Sequence, residues 1–150
     1  MSAEVLSVNL SEEKGTRKRP VARASLITEF GFEGDAHAGD WHRQVSLLAR
    51  ESIDKIAALG LELSPGDFAE NLTTRGIDLM SLPIGSVLRV GREAELQVTQ
   101  IGKECHLGCD IRRQVGDCVM PREGVFARVL KRGTVTAGDP IEVVRRGDEP

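Results

Sequence analysis

The sequence predicts a mainly β domain, a closed barrel or a sandwich, with few and short helices. Three observations carry that expectation. Short segments with apolar residues at alternate places recur along the chain. Glycine and proline punctuate them at turn positions. Helical periodicity is confined to two brief stretches. Many short strands with such turns, and few helices, bury their apolar faces best by closing one sheet or stacking two.

Val5 to Leu10 alternates as a half-buried strand does. Val21 to Thr28 and Gln44 to Leu48 are the next strand candidates. Ser86 to Val90 and Ala94 to Thr99 flank Gly91-Arg92, a pair that suits a tight two-residue hairpin because glycine supplies positive φ. Pro140 to Val144 is the last strand, with proline tolerated at its start. Leu82 to Leu88 and Val135 to Ile141 echo each other, each a glycine turn feeding an apolar strand. A helix is expected over about Ala49 to Leu59, where Ala49, Ile53, Ile56 and Ala57 share one face and Gly60 follows as a stop. A second, shorter helix is expected over Gly124 to Lys131, with Val125, Val129 and Leu130 inward. The domain is expected to span 1–146, with 147–150 a frayed tail.

A chain of 150 residues suits one domain. Folding at this length buries roughly 70% of the unfolded surface, enough for a core without staples. Apolar residues at 40% and charged residues at 29% place it among ordinary soluble proteins. A net charge of −3 argues against a polyanion partner, and four Phe, one Trp and no Tyr leave few rings on which bases would stack. No nucleic acid is expected. Lys14, Arg17, Lys18 and Arg19 form a local basic cluster, suited either to a phosphate on a small ligand or to a solvated loop. Three cysteines are an odd number, not the even set of a secreted disulfide scaffold. With no signal-peptide pattern at Met1 to Val5 and no run of about 18 apolar residues, reduced thiols in the cytoplasm and no membrane span are expected.

The densest chemistry lies in Gln100 to Ile111, with Cys105, His106 and Cys109, and Cys118 further on. One reading is a reactive thiol at Cys105. Lys103 and His106 are cationic neighbours of the kind that lower a thiol pKa, and Gly102 and Gly108 allow sharp turns near a ligand. A second is a structural zinc site from Cys105, His106, Cys109 and Cys118, although adjacent Cys-His rarely share one ion. A third is inert, buried thiols. Phe30 to Val45 is the other unusual stretch. It packs His37, His42, Asp35, Asp40, Arg43 and Trp41 among glycines, suited to an anionic or heteroaromatic ligand, to a metal on Asp35, His37 and His42, or to a polar turn with Trp41 packed on the barrel. In Gly66 to Thr74, Asn71 offers both donor and acceptor to a planar ligand edge, or serves as a turn residue. No P-loop, GxGxxG after a strand, or GxSxG elbow is present.

Five pieces in this order resemble the molybdenum-cofactor sulfurase C-terminal (MOSC) domain family. They are Gly34 to Gly39 with Arg43-Gln44-Val45-Ser46-Leu47; Gly66 to Leu72; Thr99 to Gly102 leading into Cys105; Gly124 to Val129; and Gly138 to Ile141. The resemblance implies a closed β-barrel similar to the barrel domain of pyruvate kinase, and a cleft for a molybdopterin-type molybdenum cofactor. It implies a key cysteine that carries sulfur as a persulfide or ligates molybdenum, a role that falls on Cys105 with Cys109 as the alternative. Asn71 matches the asparagine of the family's F-x-x-N stretch, and Arg43 the basic residue before Gln-Val-Ser-Leu. Lys14, Arg17, His37, His42 and His106 complete the expected cofactor-binding set, Lys14 and Arg17 by charge alone. No pyridoxal phosphate is expected within this chain. Sulfur would therefore come from a donor protein such as a cysteine desulfurase. The alternatives are a non-catalytic carrier or partner-binding module, and a small molybdenum-dependent oxidoreductase.

Overall fold

A computed structural model of the chain describes residues 3–13, 17–58, 60, 62–102 and 124–147. Its strands are β1 (Glu4–Leu10), β2 (Arg19–Val21), β3 (Arg23–Ile27), β4 (Gly31–Phe32), β5 (Val45–Ala49), β6 (Leu72–Arg75), β7 (Val87–Val90), β8 (Ala94–Ile101), β9 (Val125–Lys131), β10 (Gly133–Thr136) and β11 (Ile141–Arg145). Among the described residues, one α-helix, α1 (Arg50–Ala57), follows β5, and one 3₁₀ turn covers Leu79–Ser81. The mainly β expectation with few helices is met.

Eight strands form one sheet in the order β11-β7-β8-β9-β5-β6-β1-β2, and β10-β3-β4 form a second. Pairing is antiparallel except between β5 and β6. A parallel pair needs a long crossover, and α1 with the loop after it supplies that connection. β5 is central and buried at all of its positions, so its sequence VSLLA is nearly continuous in apolar residues. Around it Leu26, Phe32, Leu47, Leu72, Leu88 and Leu96 are essentially inaccessible to solvent. Each such side chain contributes roughly 1.5–3 kcal/mol by leaving water. α1 has only eight residues and holds by packing Ile53 inward rather than by intrinsic propensity.

Strand pairing among the described residues does not confirm a closed barrel. Among the described residues the order runs open from β11 to β2. The near approach of the two ends is one bridge, Glu4 to Pro140, with Val5 N donating to Asp139 O at 2.8 Å and Ile141 N to Ala3 O at 3.0 Å.

Three expectations are corrected. Residues 125–131 form β9, not a helix. Val125, Ala127 and Val129 are its buried alternate positions, and β9 pairs with β5 on one side and β8 on the other, so a helix there would strand both neighbours' backbone groups. The β7–β8 hairpin has a three-residue loop, because Val90 pairs with Ala94. Gly91 in that loop has φ 73°, and a Cβ there would lie 2.9 Å from Asp139 Oδ2, so the glycine also lets the hairpin meet the turn before β11. The single strand expected over Val21 to Thr28 is divided between β2 and β3. After β11, Arg146 Nη2 donates to Ser81 O at 3.0 Å and Gly147 N to Ser86 Oγ at 2.8 Å.

Candidate functional site

The unusual polar loop between β4 and β5 is held at two places. At the first, the Lys18 ammonium is sealed from solvent and lies 2.8 Å from Asp35 Oδ1, whose side chain is equally inaccessible. Lys18 Nζ also donates to Ser11 Oγ at 3.1 Å and meets His37 Nδ1 at 2.9 Å. Asp35 accepts in addition from the backbone N–H of Ser11 and of His37. Burial alone would raise the Asp35 carboxyl, but the Lys18 ammonium, with help from Asn71 and the Ser11 amide, outweighs it and holds the pKa below 3.8. An ammonium has no lone pair to offer, so the contact at His37 requires Nδ1 to accept. The neutral His37 ring therefore carries its proton on Nε2.

Lys18 reaches this position because its backbone N–H donates to Gly66 O at 2.8 Å. Gly66 has φ 91°, and a Cβ there would stand 2.1 Å from Lys18 O. Gly66→Ala is expected to cost more than the roughly 1–3 kcal/mol of backbone strain alone, because the loop must also retreat from Lys18. Urea denaturation would measure it; an unchanged midpoint would mean that this close approach does not hold Lys18 in solution.

The second anchor lies at the end of β8. Residues Val98 and Gln100 pair with Ala127 and Phe126, so Thr99 is one extra residue in the ladder. Such a bulge reverses the pleat locally. Gln100, which regular alternation would turn the same way as buried Val98, instead meets the same loop as Thr99. Thr99 Oγ1 lies within hydrogen-bond distance of His42 O and Phe126 O, which share its one proton. Gln100 Oε1 accepts from Arg43 Nε at 3.1 Å and faces His42 Nε2 at 2.8 Å, while Gln100 Nε2 donates to Gly102 O at 2.6 Å. That last bond orients the amide, so His42 Nε2 is the donor in its pair. The Arg43 guanidinium carbon lies 5.9 Å from the Trp41 ring centroid and 5.5 Å from that of Phe126. Trp41 Nε1 donates to His37 O at 2.8 Å and so joins the two anchors.

The expected site residues thus separate. His42 and Arg43 come together through Gln100, and His37 stands with Lys18 at the other anchor. Arg17 is exposed. Asn71 is fully buried: its Oδ1 accepts from Ser46 N and Oγ, and its Nδ2 donates to Asn9 O at 3.2 Å. That bonding ties the loop before β6 to β5 and β1. Lys14, Cys105, His106, Cys109 and Cys118 lie outside the described residues, so the thiol and zinc expectations do too. Among the described residues no group of three or more His, Cys, Asp or Glu is placed to hold a metal, so Asp35, His37 and His42 form no such set. Nor is any described helix long and apolar enough to cross a membrane. Gln100 and the paired state of Lys18 and Asp35 were not foreseen. A polar Gln in phase with Leu96 and Val98 is the one signal that could have marked the bulge.

Fold and site define a mainly β domain whose strand-connecting loop presents an oriented arginine and two histidines beside the β8–β9 connection. A family model described as the MOSC domain matches residues 34–142. The chain belongs to that family. It is 30% identical to the uncharacterized protein YflK of Bacillus subtilis (strain 168) over 169 residues, covering 97% of this chain and 75% of YflK. Among solved structures, YuaD of Bacillus subtilis matches with a TM-score of 0.79 at 20% identity over 94% of both chains. YiiM of Escherichia coli matches with 0.72 at 25% identity, over 99% of this chain and 72% of YiiM.

Proposed function

We propose that this domain binds a molybdopterin-type molybdenum cofactor and uses Cys105 to carry sulfur to it or to ligate molybdenum. The family's association with molybdenum-cofactor sulfurases supplies the ligand class. One observation carries the reading: the stretch bearing Cys105 departs from the strand end that holds the site. Gly102 N donates to Gly124 O at 2.6 Å, pinning both ends of the 103–123 connection next to Gln100. Cys105 stands three residues past Gly102. Covalent geometry then keeps the two Cα atoms within about 11 Å.

The donor chemistry fits the organic half of such a cofactor. Arg43 and His37 present N–H groups suited to phosphate and pterin oxygens. In this reading the molybdenum ligand is Cys105, or Cys109 as its alternative, the role that the family resemblance implies for it. A soft thiolate suits that metal. Bound there, the cofactor would supply a metal centre able to hold or receive sulfur. In the carrier role, the Cys105 thiolate attacks the outer sulfur of a donor persulfide, and the donor leaves as a thiolate. A cysteine desulfurase is the donor class this requires, and the reducing cytoplasm is the compartment in which the thiol persists. The Glu4–Pro140 bridge supports closure of the large sheet into the family's barrel.

Anaerobic loading with molybdenum cofactor, followed by desalting and metal analysis, tests the reading. Near-stoichiometric molybdenum is expected in wild type and in Cys109→Ser, with at least about tenfold less in Cys105→Ser. No retention by wild type would overturn it.

A further inference from the structure

We propose that Arg43 is the receptor for a phosphomonoester group of the ligand, and that Gln100 is the residue that positions it. The ligand's identity rests on the cofactor-binding reading; the anion chemistry does not.

A guanidinium has five N–H donors in a fixed plane. Arg43 uses only Nε on the protein, toward Gln100 Oε1. Among the described residues, the four N–H of its Nη atoms have no protein acceptor and no carboxylate lies within ion-pair distance. Four other arginines, Arg50, Arg75, Arg89 and Arg128, each meet a carboxylate. Arg43 is instead half-buried, with the Trp41 and Phe126 rings close to its guanidinium carbon. Aromatic neighbours restrict the plane of the fork without cancelling its charge. Much of the ordering cost of binding an anion is met before the anion arrives.

The identity of residue 100 follows the same logic. A glutamate there would also accept from Arg43, but it would neutralise the guanidinium and has no N–H to donate to Gly102 O. The glutamine amide accepts through Oε1, and the bond from its Nε2 to Gly102 O keeps that oxygen facing Arg43 and His42. The arginine is thus oriented by a neutral group and keeps its full charge for a ligand. A tetrahedral phosphate, with two oxygens to meet the fork and up to two negative charges, is the complementary partner. The basic cluster at Lys14 and Arg17, chosen by charge alone, is the competing location.

Titration of the ¹⁵N-labelled full chain with inorganic phosphate at constant ionic strength tests this. The indole N–H of Trp41, the chain's one tryptophan, is the reporter. Wild type should show a saturable shift in the millimolar range. Arg43→Gln and Gln100→Glu should bind about tenfold more weakly, Arg43→Lys several-fold more weakly, and Arg92→Gln as wild type. Gln100→Glu keeps an acceptor for Arg43 Nε while neutralising the guanidinium; it also gives up the Nε2 bond to Gly102 O, so its fold is compared with wild type by circular dichroism. If Arg43→Gln fails to fold, Gln100→Glu and Arg43→Lys carry the test. The absence of a saturable shift in wild type, equal affinity in Gln100→Glu, or loss of binding in Arg17→Gln with retention in Arg43→Gln would each overturn the proposal. Cys105-dependent molybdenum retention without phosphate binding at Trp41 would sink the receptor and leave the cofactor reading standing. The reverse result would sink the cofactor reading and leave the receptor.

Discussion

Replacing Lys18 with methionine is expected to lower the unfolding free energy by about 3–5 kcal/mol, the usual cost of leaving one partner of a buried ion pair alone. Neither Lys18 nor Asp35 exposes side-chain surface. Methionine fills the stem's volume but leaves Asp35 without its cation, and Ser11 Oγ and His37 Nδ1 lose their donor. The double variant Lys18→Met/Asp35→Leu should recover part of the loss, because a pair of charges removed together leaves no orphan. Urea unfolding followed by circular dichroism would measure both. A cost for Lys18→Met below about 1 kcal/mol would match an exposed pair instead and would refute the sealed geometry.

The pH dependence has a definite sign. The Asp35 pKa is lowered from 3.8, so its ionised form is favoured by folding. Its contribution is complete above the unfolded value and is lost as pH falls through the folded one. Asp35→Asn should therefore lose the steep acid limb of the stability profile below pH 3.8.

Glu70→Ala should cost about 3 kcal/mol or more. The Glu70 carboxylate is wholly buried. Its oxygens accept from Gly66 N at 3.0 Å, Phe68 N at 3.2 Å and Thr73 Oγ1 at 2.7 Å. Asn9 Nδ2 donates in turn to Thr73 Oγ1, and Ser7 Oγ to Asn9 Oδ1, so a chain of donors ends on Glu70. Truncation to alanine leaves the two loop amides and the threonine hydroxyl without their acceptor, each at about 1–3 kcal/mol if no water replaces it. The loop they shape contains Ala69 at φ 64° and delivers Asn71 to Ser46. Burial pushes the Glu70 carboxyl above 4.5, although the three donors oppose it. A raised folded pKa means that this group's contribution is complete below 4.5 and declines as pH rises through the folded value. Glu70→Gln preserves the volume and cannot titrate. The stability of wild type relative to Glu70→Gln should therefore fall as pH rises above 4.5; a difference independent of pH would show that the Glu70 pKa is the same in the folded and unfolded chains.

Much of the strand pattern was legible in the chain. The alternation in Val5 to Leu10 and Ala94 to Thr99 marks β1 and β8, and Ile53 on an apolar face marks α1. What misled was a segment with two compatible periods. Val125, Val129 and Leu130 satisfy a helical face, yet Val125, Ala127 and Val129 satisfy a strand just as well. Only the vacant edges of β5 and β8 decide between them. β6 was hidden for a related reason: Leu72-Thr73-Thr74-Arg75 has too few apolar residues to announce a strand, and its place is set by parallel pairing to β5 and by the bond from Thr73 Oγ1 to Glu70, while the buried Thr74 hydroxyl has no hydrogen-bond partner among the described residues.

The candidate site divides along the same line. Residue types and their order were enough to name the family and to single out Arg43, His37, His42 and Asn71, because those properties are local to short stretches of chain. Their roles were not local. Asn71 is committed to Ser46 and Asn9, and Lys18 is buried against Asp35. Arg43 takes its orientation from Gln100, which lies 57 residues away along the chain. The sequence by itself determined the β class, the family and the chemical inventory, through periodicity and short-range motif order. Tertiary structure alone decided which cations are neutralised and which remain available, because that depends on long-range pairing, on burial and on one bulge at Thr99 that turns Gln100 toward the loop.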